Sequence, residues 1–354
     1  MAQAQITSRE INAARENYRG IAKRGSILYF VIADLARIDP MYQYSLDYFV
    51  KLFQLRLKYS EHPPELESRL AVLIEDITKS FFFNICRGLF EKDKLLFSFM
   101  MAVRIQLGNG SILSREWNFF LRGASVDSQS KAEPPSFLSD ADGLKIWKAL
   151  LGLDNVSDKY APIEASFKDS VASAIWRQII EVDDPIDLDL PEPFQNSLSS
   201  FQKLIVFKIL RPEKLILAVK KYVKDTLGSI FIESPPFNLK AAFEDSSATT
   251  PLIFILSPGA DPMTALLNLA KEREMDGPRF KILSLGQGQG QIAAEYIKNA
   301  RNSGDWVCLQ NCHLAATWMT DFERLQEGQV EGEIHEDYRY FLFFLQILTI
   351  LDFG

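Results

Sequence analysis

PLIFILSPGADPMT, residues Pro251 to Thr264, starts as a short apolar, β-rich run from Leu252 to Leu256. It breaks at Ser257-Pro258-Gly259 and gives way to a helical pattern, ALLNLAKERE, from Ala265. Strand, tight loop and helix N-terminus, in that order, is the layout of a phosphate-binding loop, where backbone N–H groups and the helix dipole face an anion. The spacing fits as well. Against G-x-x-x-x-G-K-[ST], Ser257 takes the first glycine, Pro262 the second, Met263 the lysine and Thr264 the hydroxyl. Three of the four defining positions carry the wrong residue. Pro258 and Pro262 have no N–H to donate, Met263 brings no positive charge, and Asp261 sets a negative charge in the cradle. Gly259 leaves the loop one flexible position, and Thr264 alone suits a magnesium ion. The residues leave three readings open: a nucleotide site, a dead one, or a coincidence of spacing.

A second stretch bears on the choice. Trp306-Val307-Cys308-Leu309-Gln310-Asn311 is an apolar strand ending in two polar side chains. That is the layout of a Walker B element, in which an Asp orients magnesium and a following Glu activates water. Here both positions are amides, Gln310 and Asn311. A neutral amide neither balances a divalent cation nor acts as a general base. The alternative is that they are strand-end residues satisfying loop backbone. Both elements occur in order, at phosphate-loop spacing, and each lacks its charged chemistry. Together they point to an ATPase-like module that kept its shape without catalysis. A third stretch, Gly286-Gln287-Gly288-Gln289-Gly290 after FKILSL, invites a dinucleotide reading, but G-x-G-x-x-G needs a glycine where Gln291 stands. A glycine-permissive strand-to-helix turn accounts for it.

These strands alternate with the helical patterns QIAAEYIKNARNSG and TWMTDFERLQE, which implies a parallel α/β sheet. Upstream the chain reads differently. Apolar residues recur at helical spacing in ILYFVIADLARI, YSLDYFVKLFQLRL and LESRLAVLIEDITKSFFFNICRGLF, predicting helices of roughly 20 residues or more. Pro40 and Pro63-Pro64 mark boundaries between them. The aromatics Tyr29, Phe30, Tyr42, Tyr44, Tyr48 and Phe49 could frame a ligand cage; helix packing is the simpler account. Ala124 to Ser139 reads as a polar loop, and DDPIDLDLPEPF as a linker. Its acids Asp183, Asp184, Asp187 and Asp189 lack the glycine and the terminal Glu of a calcium loop. FQKLIVFKILRPEKLILAVKKYVKDTLG reads as two helices joined at Arg211-Pro212.

Composition sets the bounds. The 354 residues, 47% apolar and 24% charged, suffice for more than one domain, and the net charge of −7 gives no basic footprint for nucleic acid. Cys86, Cys308 and Cys312 form no disulfide framework, as expected of a reducing compartment. Cys308, Cys312 and His313 lack the fourth ligand of a structural zinc site, so no metal is expected. The N-terminus lacks the apolar core of a signal peptide. The apolar run Tyr340 to Phe353 is too short for a membrane helix, which needs ~20 residues; no membrane contact is expected.

SPGADPM, SLGQGQGQIA and WVCLQNCHLA, in this order, resemble the sixth AAA+ module of dynein heavy chains. YRGIAKRGSILYFVIADLARIDPMYQYSLDYFVKLF, RGLFEKDKLLFSFMMAV, EWNFFLRG and FQKLIVFKILRPEKL resemble the helical region leading into it from the fifth module, in the axonemal style. The resemblance covers about residues 6 to 327. It implies a long helical N-terminal region followed by an incomplete AAA+ (P-loop NTPase-like) parallel α/β domain. Residues 1–110 would end the fifth module, with part of its buttress, and 111–230 would form a helical connector. Residues 231–327 would be the degenerate core of the sixth module, and 328–354 an atypical apolar tail. The resemblance further implies a non-catalytic part of a motor ring, acting in minus-end-directed microtubule movement only within the full heavy chain. ATP and magnesium would belong to the parent motor and not to this segment. The partners would be the other AAA+ modules of the same chain. Intermediate chains, light chains and microtubules would be reached only through the full motor, in the cytoplasm and cytoskeleton of the ciliary axoneme. A free-standing nucleotide-binding enzyme and a partner-binding helical module are the alternatives. After Arg339 the family pattern continues through a Ser/Pro turn, a strand and helices. YFLFFLQILTILDFG departs from it, and its apolar side chains are expected to have no core to enter, a liability if exposed.

Overall fold

The computed structural model describes residues 15–123, 133–233, 237–257, 259–286, 288–327 and 334–345. The chain falls into two units, Met1–Pro235 and Pro236–Gly354. The described part of the first is helical, and the second carries a parallel sheet.

Some helices of the first unit start where a side chain satisfies backbone N–H groups, and some stop at glycine. α1 (Arg19–Asp34), α2 (Leu46–Tyr59), α3 (Leu66–Cys86) and α4 (Glu91–Asn109) have 16, 14, 21 and 19 residues, so α1 and α2 fall short of the length their apolar spacing implies. Ser45 Oγ accepts from Tyr48 N–H to open α2, and Gly110 closes α4 at φ +81°. Pro63 and Pro64 lie between α2 and α3, as expected. The series continues with α5 (Ser114–Arg122), α6 (Ala141–Leu151), α7 (Ile163–Lys168) and α8 (Ser170–Glu181). It ends with α9 (Phe194–Ser197), α10 (Ser200–Leu210) and α11 (Leu215–Leu227). Asp140 caps α6 through Gly143 N–H, and Ser199 with Gln202 forms a capping box on α10. The break at Arg211-Pro212 separates α10 from α11, as the sequence implied.

One apolar core spans this unit from Ile21 to Phe231, so the described residues before and after position 110 pack together. Three of the six candidate cage aromatics, Tyr42, Tyr44 and Phe49, serve that core. Tyr42 is buried and donates to Asp93 at 2.7 Å, Phe49 packs on Phe81 at 4.6 Å, and Tyr44 donates to Ile85 O. Phe30 and Tyr48 are exposed. Residues 124–132, most of the polar loop, lie outside the described residues. Arg69 ties the α2–α3 turn together: its buried guanidinium donates to Leu57 O, Ser60 O, Ser60 Oγ and Glu61 O.

The second unit begins with α12 (Leu239–Glu244). It continues β1 (Leu252–Leu256), α13 (Met263–Glu272), β2 (Phe280–Ser284), α14 (Gly290–Ser303), β3 (Trp306–Gln310), α15 (Ala316–Glu327) and β4 (Arg339–Leu345). All pairings are parallel and the order is β1-β4-β3-β2. One face of the sheet, with Phe254, Trp306, Phe341 and Phe343, packs with Leu266, Leu269 and Ala270 of α13. The other, with Val307, Leu309, Tyr340 and Leu342, packs with Ala293, Ile297 and Ala300 of α14. Helices on both faces are what a parallel sheet requires.

The sheet corrects one expectation. Arg339–Leu345 is a central strand, hydrogen-bonded to β1 on one side and β3 on the other. Tyr340, Phe341, Leu342 and Phe343 are all buried. These side chains therefore do have a core to enter. Their unbroken apolarity is the mark of a strand covered on both faces. Residues 328–333 and 346–354 of the expected tail lie outside the described residues. Among the described residues no helix is long and apolar enough to cross a membrane.

Candidate functional site

The strands are parallel, so their C-terminal ends lie at one edge of the sheet, where open α/β sheets place ligands. The loop after β1 and the turn after β3 both sit at that edge. The end of β4 stands between them, because β4 separates the two strands.

The first loop runs from Ser257 to Thr264 and closes on itself. Ala260 N–H donates to Ser257 O at 3.0 Å. Gly259 holds φ +84°, a conformation that favours glycine. Pro258 lies outside the described residues. Asp261 Oδ1 accepts from Met263 N–H at 2.9 Å, an Asx turn opening α13. Pro262 precedes α13, and its carbonyl accepts from Leu266 N–H. Met263 reaches the sheet core in part, while Ser257 and Thr264 are exposed. A carboxylate of the chain itself thus occupies the electropositive start of α13.

The second element is also satisfied from within. Asn311 adopts φ +56°, and its side-chain amide donates to Ser284 Oγ at 2.8 Å, toward β2 rather than β1. Gln310 is half-buried, and its carbonyl accepts from Leu285 N–H. His313 Nδ1 accepts from Leu345 N–H at 3.2 Å, so the last N–H of β4 is taken by a side chain from the turn after β3. The two loops share an edge, yet no hydrogen bond joins them among the described residues. Sequence reading weighed His313 only as a ligand and missed this contact. The partners lie 32 residues apart, and no local pattern marks such a pair.

The other candidates resolve locally. Gly288 holds φ +81°, and a Cβ on Gly290 would lie 2.3 Å from the Trp318 ring, so a turn and a close helix contact account for these two glycines. Gln287 lies outside the described residues. Cys308 and Cys312 are buried, and burial pushes their thiols up to about 12 and about 11. Among the described residues no cluster of three or more His, Cys, Asp or Glu could hold a metal. In the acidic linker, Asp187 pairs with Lys221 at 2.7 Å and Asp189 accepts from Gln195.

Comparison with known proteins places this geometry. Residues 247–347 match the model of the dynein heavy chain region D6 P-loop domain, a span that includes β4. Dynein axonemal heavy chain 3 of Mus musculus is 38% identical over 331 residues, which is 93% of this chain and 8% of that protein. Dynein axonemal heavy chain 1 of Homo sapiens is 38% identical over 341 residues, 96% of this chain and 8% of that protein. Dynein axonemal heavy chain 6 of Homo sapiens is 38% identical over 361 residues, 96% of this chain and 9% of that protein. The chain therefore spans less than a tenth of the length of these relatives. Over nearly its whole length it is similar to axonemal dynein heavy chains, and its parallel α/β unit is similar to their D6 P-loop domain.

Proposed function

We propose that this chain is a non-catalytic structural part of a dynein motor ring, joining the end of the fifth AAA+ module to the sixth. In this reading it contributes to ATP-driven, minus-end-directed microtubule movement in the ciliary axoneme only as part of a full heavy chain. Its partners are the neighbouring modules, and it meets microtubules, intermediate chains and light chains only through the whole motor. The observation that carries the reading is the Asp261 carboxylate at the start of α13, bonded to Met263 N–H. A magnesium nucleotide does not fit these residues. Its phosphates would meet a fixed negative charge, without a lysine in the loop and with amides at Gln310 and Asn311 in place of carboxylates.

Calorimetry of the chain with magnesium ATP tests the loop, with no saturable heat expected at micromolar concentrations. ATP binding at micromolar affinity that Thr264→Ala abolishes would overturn the reading in favour of a nucleotide-binding enzyme. In a full heavy chain, Thr264→Ala is expected to leave microtubule gliding velocity unchanged. A Phe341→Asp substitution, which disrupts the sheet, is expected to abolish gliding.

A further inference from the structure

The helical unit carries an open surface pocket of about 400 Å³ with no part in the proposed function. One wall is a face of α5 that presents Arg115, Asn118 and Arg122. Gly152 and Asn155, from the turn after α6, also line the pocket. Residues three, four and seven apart share one helix face, so two guanidiniums and an amide line one opening. Phe119 and Val156 add an apolar part to the lining.

The charge there has no partner among the described residues. Several other arginines of this unit have partners: Arg24 donates to Thr78, Arg104 to Asp34, Arg177 to Glu181, and Arg211 to the carbonyls of Ile179, Ile180 and Val182 at the end of α8. Arg115 and Arg122 have neither an ion pair nor a hydrogen bond among the described residues. The neighbouring acid does not neutralise them. Glu116 is buried, where it accepts from Leu113 N–H and Gln202 Nε2. No described acidic side chain lines the pocket.

We infer that this pocket is a binding site for a phosphate dianion, either free or as a phosphomonoester. One guanidinium fork saturates the two oxygens of a carboxylate. Two forks match a tetrahedral group with three terminal oxygens, and an amide N–H from Asn118 or Asn155 completes the set.

The test is calorimetric titration of the full chain with inorganic phosphate at fixed ionic strength, chloride making up the balance. Saturable binding at one site is expected. Arg115→Gln and Arg122→Gln should each weaken it about tenfold. Arg122→Lys should weaken it as well, because a point charge cannot reproduce the fork. Both arginines are exposed, so thermal melts of the variants should match the parent. A phosphoserine peptide distinguishes the sources. Binding tighter than inorganic phosphate identifies a phosphorylated side chain, and equal or weaker binding identifies the free anion. The inference is overturned by an absence of saturable binding. It is equally overturned if Arg122→Lys retains full affinity or acetate competes as well as phosphate, since either marks a general positive surface.

Discussion

Replacing Phe341 by Ala tests whether β4 is the middle of the sheet. Its side chain is fully buried. Its ring centroid lies 5.3 Å from Trp306 and 6.0 Å from Phe280, and its backbone is paired with Leu252 and with Cys308. Truncating a buried Phe costs about 3–5 kcal/mol through lost transfer energy and the cavity left behind. Neighbouring strands on both sides limit how far this site can collapse, so about 4 kcal/mol is expected. At 1.4 kcal/mol per tenfold, the opened population of the second unit rises roughly a thousandfold. Ile253→Ala is the control: Ile253 is 55% exposed on β1, and its loss should cost below about 1 kcal/mol. A melting curve would mix two units, so the assay is native-state hydrogen exchange at β3, residues 306–310. If protection there falls by less than about tenfold, or falls only within 339–345, β4 is a peripheral strand and its central place in the sheet is refuted.

Asp261→Ala removes the acceptor for Met263 N–H and should destabilise α13 by about 1 kcal/mol, read as faster exchange in its first turn; micromolar ATP binding by this variant would show that the carboxylate alone excluded the nucleotide. Arg69→Ala leaves the carbonyls of Leu57, Ser60 and Glu61 without their shared donor and should cost about 2 kcal/mol, read by hydrogen exchange across α2 and α3. Burial raises Cys86 and Cys308 to about 12, so folded thiols hold their protons more tightly than unfolded ones with a pKa near 9. This stabilisation is full below pH ~9 and is lost as pH rises toward 12. Iodoacetamide at pH 8 should therefore label these cysteines only as the protein unfolds, and rapid labelling of the folded chain would contradict their burial.

The sequence carried most of the α/β unit because its local signals agree. The expected strands at Leu252–Leu256, FKILSL and WVCLQ are β1, β2 and β3, and α13 starts at Met263, two positions before the helical pattern at Ala265. β4 was misread for a physical reason. A strand buried on both faces has no apolar-polar alternation, so RYFLFFL differs from a stray apolar run only through its pairing. Judging it by the Ser/Pro turn expected after Arg339 put weight on a missing family pattern rather than on the strand itself. The site was half legible. Asp261 could be read as a charge hostile to phosphate, but its bond to Met263 depends on the turn the backbone takes. The His313–Leu345 contact and the Asn311–Ser284 bond join neighbouring strands and leave no mark on sequence spacing.

The internal bonds at the sheet edge bear on how such a module would work in a ring. A ligand shifts a conformational equilibrium only by its differential affinity for the two states. In a nucleotide-driven module the loop after β1 and the turn after β3 grip the same ligand, and its release frees their donors. Here Met263 N–H is held by Asp261, Leu345 N–H by His313 and the Asn311 amide by Ser284. Each of these bonds joins two groups of the unit itself. On the proposed reading, the sixth module takes its orientation from its neighbours and passes it on without a lever of its own. Hydrogen exchange in residues 259–264 and 309–313 of a full heavy chain should then be the same with ATP, ADP or no nucleotide, provided a catalytic module is mutated so that the ring does not move. Nucleotide-dependent protection there under those conditions would mean that the crevice binds nucleotide after all.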